Sequence, residues 1–111
     1  MAYDETLASR VRGLLSDRPG YSERKMFGGL CFMINGNMAC GIVGDELMVR
    51  LAPDRYDDAL SQPHARPMDF TGRPMKSMVY VGPGGIGEAE ALASWVERGA
   101  RFAASLPPKR R

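Results

Sequence analysis

Two tight-turn signals, Asn35-Gly36 and Gly44-Asp45, cut the stretch from Gly29 to Leu51 into three short apolar runs. Asn-Gly and Gly-Asp pairs flanked by apolar segments predict two-residue hairpin loops, and such loops set which residues face each other. The first loop is expected to put Ile34 opposite Asn37, Met33 opposite Met38, Phe32 opposite Ala39 and Cys31 opposite Cys40. The second puts Val43 opposite Glu46, Ile42 opposite Leu47 and Cys40 opposite Val49. Side chains alternate sides along a strand. One face of the meander should therefore collect Cys31, Met33, Met38, Cys40, Ile42, Leu47, Val49 and Leu51 as the core face. The reverse face would carry Leu30, Phe32, Ile34, Ala39, Gly41, Met48 and Arg50, a mixed surface able to meet a partner.

Around this meander the pattern is α+β. Leu7, Ala8, Val11, Leu14 and Leu15 recur at helical spacing in a helix over 4–17 that Pro19-Gly20 ends. Residues 21–27 read as an extended segment joining the sheet, and Gly28-Gly29 as a bulge or close approach. Pro53 and the acidic residues Asp54, Asp57 and Asp58 favour a short helix over 54–62, closed by Pro63. His64 to Pro67 reads as loop. Strands are expected over 68–71 and 75–81, joined by a turn at Gly72-Arg73-Pro74. A long helix follows over 88–106, with Ala89, Leu92, Ala93, Val96, Ala100 and Ala103 as its stripe, widened by Trp95 and Phe102. The expected architecture is a mainly antiparallel sheet, a meander plus two further strands, covered by helices. The order is helix, three or four strands, helix, two strands, helix.

A chain of 111 residues, 44% hydrophobic and 25% charged, is sized for one domain. That domain is placed at 1–106, with 107–111 as a basic tail. The formal charge is +2, but without Lys109, Arg110 and Arg111 the basic residues no longer outnumber the 13 acidic ones. A basic body stripe, the footprint of nucleic-acid binding, is thus missing, and direct nucleic-acid binding is not expected. No segment has the composition of a signal peptide or the length of a membrane span, so a cytoplasmic protein is expected.

Gly82, Gly84 and Gly87 match the spacing of a dinucleotide-binding loop. However, the required parallel strand and acidic residue do not follow, and Glu88 and Glu90 would repel a phosphate. A helix-start turn explains them. His64, the single histidine, cannot build a metal or Cys-His site with two thiols unless the fold brings them together. No catalytic set, metal or cofactor is expected. Cys31 and Cys40, placed across from one another, form a candidate redox pair weighed against the simpler role of buried inert thiols. Arg24, Lys25, Phe32, Met48 and Arg50 form a candidate partner-binding patch, since guanidinium groups bind carboxylates in bidentate fashion beside an apolar centre.

The run Arg24-Lys25-Met26-Phe27-Gly28-Gly29, the strand over 30–34, Asn35-Gly36 and the segment Asp45-Glu46-Leu47-Met48-Val49-Arg50-Leu51 resemble the TfoX (Sxy) N-terminal domain family. Gly72-Arg73-Pro74-Met75, Met78-Val79-Tyr80-Val81 and the Trp95 helix extend the likeness over nearly the whole chain. The resemblance implies a secretion-chaperone-like α+β fold. It also implies a non-enzymatic competence-regulator-like module: full-length members assist the cAMP receptor protein at certain promoters and carry a second, C-terminal domain. This chain is expected to be a stand-alone member that binds a protein partner, in the first instance a transcription regulator, or a second copy of itself. The alternative is a small redox-responsive protein or enzyme using Cys31 and Cys40.

Overall fold

The computed structural model describes residues 3–26, 28–67 and 77–107. Helix α1, Glu5–Leu15, begins where Asp4 accepts hydrogen bonds from the Thr6 and Leu7 amides, and it buries Leu7, Ala8, Val11 and Leu15. Leu14, placed in the apolar stripe by spacing alone, is exposed. Four strands follow: β1 (Tyr21–Met26), β2 (Gly29–Ile34), β3 (Asn37–Val43) and β4 (Glu46–Arg50). A 3-10 turn over Pro53–Arg55 leads into helix α2, Tyr56–Leu60. Two short strands, β5 (Ala65–Pro67) and β6 (Met78–Val81), precede helix α3, Ala89–Ser105.

The six strands form one antiparallel sheet in the order β1-β2-β3-β4-β6-β5. The α+β architecture therefore stands. Residues 65–67, expected as loop, instead pair with β6 as an edge strand, because the positive φ of His64 (69°) turns the chain back alongside it. The strand expected over 68–71 lies outside the described residues.

Both tight turns are where the residues require them. Asn35 (φ 55°) and Gly36 (φ 81°) supply the paired positive dihedrals of a type I′ loop, and Gly44 (φ 60°) opens the second loop. The β3–β4 register is the expected one, with Cys40 opposite Val49, Ile42 opposite Leu47 and Val43 opposite Glu46. The β2–β3 register departs from expectation. Ile34 and Met33 meet Asn37 and Met38, but the pairing then shifts, so that Phe32 faces Cys40, Cys31 faces Gly41 and Leu30 faces Ile42. Ala39 is the extra residue of a β-bulge.

That single residue re-sorts the faces. Leu30 and Phe32 join Cys40, Ile42, Leu47, Val49 and Leu51 beneath the helices, against Val11, Leu15, Leu92 and Val96. Cys31, Met33, Met38, Met48, Met78 and Tyr80 gather on the opposite face, in a cluster that among the described residues consists of strand side chains alone. The core face expected from regular alternation mixed members of both sets and is corrected here. Without the bulge, Leu30 and Phe32 would lie on the face opposite Ile42, Leu47 and Val49, splitting the largest apolar side chains between two layers.

Close approach completes the arrangement. Ala39 turns towards α3 and packs with Ala103. A Cβ at Gly99 would fall onto the Ala39 carbonyl oxygen, so glycine is what lets α3 lie directly on the bulge. At Gly41 a Cβ would come 2.7 Å from Met48 Cε and 3.3 Å from Cys31 Sγ, so the gap it leaves is filled by those two side chains.

Candidate functional site

The fold disperses the candidate partner-binding patch. Phe32 is fully buried under the helices, and Met48 is fully buried on the opposite face. Arg24 and Lys25 are exposed on edge strand β1, opposite Cys31 and Leu30 respectively, so alternation directs them to opposite sides of the sheet. Arg50 is half-buried, with its guanidinium 5.4 Å from the centroid of the Phe102 ring on α3. These five residues make no common surface. The bulge takes Phe32 to the helix face, Arg50 lies against Phe102 of the docked α3, and alternation along β1 parts Arg24 from Lys25.

The candidate redox pair is corrected on the same ground. Cys31 lies in the methionine cluster and Cys40 in the helix-covered core, both as free thiols. Side chains on opposite faces of a sheet cannot meet the geometry of a disulfide. Burial pushes the Cys31 thiol up to about 11 and raises Cys40 further, with the charge of Cys31 adding to the latter. Raised thiols are poor nucleophiles at neutral pH.

What the structure brings together instead lies along α3. Residues 98, 101 and 102 share one side of that helix, as i, i+3 and i+4 spacing dictates. Where α2 and the end of β4 approach that side they leave an open cavity of about 410 Å³. Leu51, Ala52 and Phe102 line it with apolar surface, and Arg55, Arg98 and Arg101 bring in three guanidinium groups. Arg98 Nη1 is 3.2 Å from Asp58 Oδ2, and its guanidinium also lies 5.0 Å from the centroid of the Trp95 ring. Arg101 Nε is 3.5 Å from Glu97 Oε2, and Glu97 also pairs with Arg18. Arg55 is exposed and has no ion pair among the described residues.

Arg98 also borders a second cavity, of about 420 Å³, beside His64, Glu88, Ser94 and Trp95. Here His64 holds its positive φ while its carbonyl accepts a hydrogen bond from the Gly82 amide at 3.0 Å. Its ring covers Gly84, where a Cβ would stand 2.6 Å from His64 Cε1. The glycine run is thus a 3-10 turn over Pro83–Gly85 that seats the imidazole and starts α3. Among the described residues no group of three or more His, Cys, Asp and Glu side chains has the arrangement of a metal site.

A third polar group ties α1 to the edge strand. Arg12 Nε donates to Glu23 Oε2 at 2.6 Å, and the Tyr21 hydroxyl donates to the same carboxylate. The hydrogen bond from Arg12, opposed by partial burial, leaves the Glu23 carboxyl below its ordinary range. Burial and the neighbouring carboxylate raise the Tyr21 hydroxyl.

The arginine groove escaped sequence reasoning because its walls come from three separate elements. The Glu97–Arg101 pair was legible from spacing; the approach of Arg55 to the same side of α3 was not.

The order and pairing of these elements fit the resemblance noted in the sequence, and the family model described as TfoX N-terminal domain matches residues 13–103. The chain belongs to the TfoX N-terminal domain family. That match runs from the last turn of α1 to the last turn of α3 and includes Arg55, Arg98 and Arg101. No curated protein and no solved structure matches the chain. Among the described residues no helix is long and apolar enough to cross a membrane.

Proposed function

We propose that this member of the family is a non-enzymatic regulatory module that works by binding another protein, in the first instance a transcription regulator. Membership of a competence-regulator-like family supports the regulatory part of this reading. The observation that carries the binding part is the groove beside α3, where exposed Arg55 and Arg101 flank an apolar floor. Arginines beside aromatic and aliphatic surface are the chemistry that dominates protein interfaces. The buried thiols and the lone histidine contribute nothing to it.

The test uses the cells from which the protein comes. Transcript profiles are compared after deletion of the gene and after complementation with the wild-type chain or with Arg55→Glu/Arg101→Glu. Both substitutions are at exposed positions, so thermal unfolding should match wild type. Wild type is expected to restore the profile and the double variant to leave the deletion phenotype. Full restoration by the folded double variant would contradict the assignment of the groove.

A further inference from the structure

We propose that the arginine groove reads carboxylates: its occupant is an acidic segment of a partner protein that lays an apolar residue on Leu51, Ala52 and Phe102 while its Asp or Glu side chains meet Arg55 and Arg101. This rests on the groove being the docking site proposed above and adds the chemistry of what docks.

Charge complementarity is the first argument. Three guanidinium groups face one lining carboxylate, Asp58, so the cavity is net positive in a body where acidic residues balance the basic ones. The second argument is the state of the arginines. Arg98 is held from two sides, by Asp58 and by the face of Trp95, and so forms a fixed wall. Arg101, with 80% of its side chain exposed, and Arg55, without an ion pair among the described residues, are the groups that an incoming acid can reach. The Asp58–Arg98 and Glu97–Arg101 contacts already show guanidinium groups of this site engaged by carboxylates. An acidic segment repeats that chemistry, and Arg forks suit it geometrically.

The same observations disfavour a nucleic-acid backbone. A duplex needs a basic stripe along the body, whereas this site is a single concavity with an apolar floor.

The purified chain is titrated against a short fluorescent peptide of alternating acidic residues and Leu or Phe, with binding read by anisotropy. Controls are the same peptide with Asn and Gln in place of the acids, and a single-stranded oligonucleotide of equal charge. The acidic peptide should bind, and the amide peptide should bind at least about tenfold more weakly, the size of one lost charge-assisted hydrogen bond. Arg55→Glu and Arg101→Glu should each weaken binding by a similar factor while unfolding at the wild-type temperature, and added salt should lower affinity.

Equal binding of the acidic and amide peptides, or unchanged binding by both folded variants, would overturn the proposal. So would displacement of the peptide by the oligonucleotide, which would mark a phosphate site, or concentration-dependent self-association abolished by the same variants, which would make a second copy the occupant. If the acidic peptide fails to bind but Arg55→Glu/Arg101→Glu still abolishes complementation in cells, the carboxylate chemistry is wrong and the regulatory reading survives. If the double variant complements fully, both fall.

Discussion

The two faces of the central sheet are both buried but are built from different materials. Beneath the helices stand Phe32, Ile42, Leu47, Val49, Val79 and Val81, mostly branched or aromatic groups that interlock with Val11, Leu15, Leu92 and Val96. The other face holds Met33, Met38, Met48 and Met78 around Cys31 and Tyr80. β-branched side chains have few rotamers and pack in one way, whereas methionine is unbranched and fills irregular space. The helix face should therefore specify the fold, and the sulfur-rich face should tolerate change. The Ala39 bulge is what keeps the two sets apart.

Prising α3 off the bulge should have the largest effect. Gly99→Val would drive a Cβ onto the Ala39 carbonyl oxygen, a backbone atom that cannot step aside, and so separate α3 from the helix face of the sheet. The variant is expected to lack a cooperative thermal transition; a native-like melt would show that α3 does not rest on the bulge. Next, Phe32→Ala should destabilise the helix face by about 3–5 kcal/mol in chemical denaturation, the range for emptying a large core site.

Raising the pH should act through the buried thiols. Cys31 titrates near 9 when unfolded and at about 11 in the fold, so its contribution to stability is complete below pH 9 and is lost as pH climbs through 11. Denaturation midpoints measured at pH 8 and pH 10 should fall accordingly, and less so for Cys31→Ala after allowing for that variant's own destabilisation.

Met48→Leu on the sulfur face should cost less than about 1.5 kcal/mol, because volume is conserved and neighbouring methionines can adjust. A loss as large as that of Phe32→Ala would erase the distinction between the faces. The smallest effect belongs to the surface. Arg12→Ala removes the partner that lowers the Glu23 carboxyl, a half-exposed pair worth ~0.2–1 kcal/mol. Because the folded carboxyl titrates below its unfolded value, that contribution is present at neutral pH and fades as pH drops through the acid range. Wild type and variant should therefore converge in stability at low pH.

Much of this was legible from residues. Asn35-Gly36 and Gly44-Asp45 mark their turns because few other pairs adopt the required dihedrals, and the stripes of α1 and α3 follow the helical period. The bulge was not, since no glycine or proline marks Ala39. Its only trace is indirect: regular pairing would leave Leu30 and Phe32 on the face away from Ile42, Leu47 and Val49, and a one-residue shift reunites them. The disulfide geometry and the reverse-face patch depended on that register and went with it. The groove lay further from view, since the meeting of Arg55 with Arg98 and Arg101 depends on how α2 docks beside α3, a long-range fact that no local pattern contains.

Interstrand nuclear Overhauser contacts between β2 and β3 test the sorting of the two faces most directly. The account predicts cross-strand backbone contacts of Phe32 with Cys40 and of Cys31 with Gly41. Contacts of Cys31 with Cys40 and of Leu30 with Gly41 in their place would contradict it.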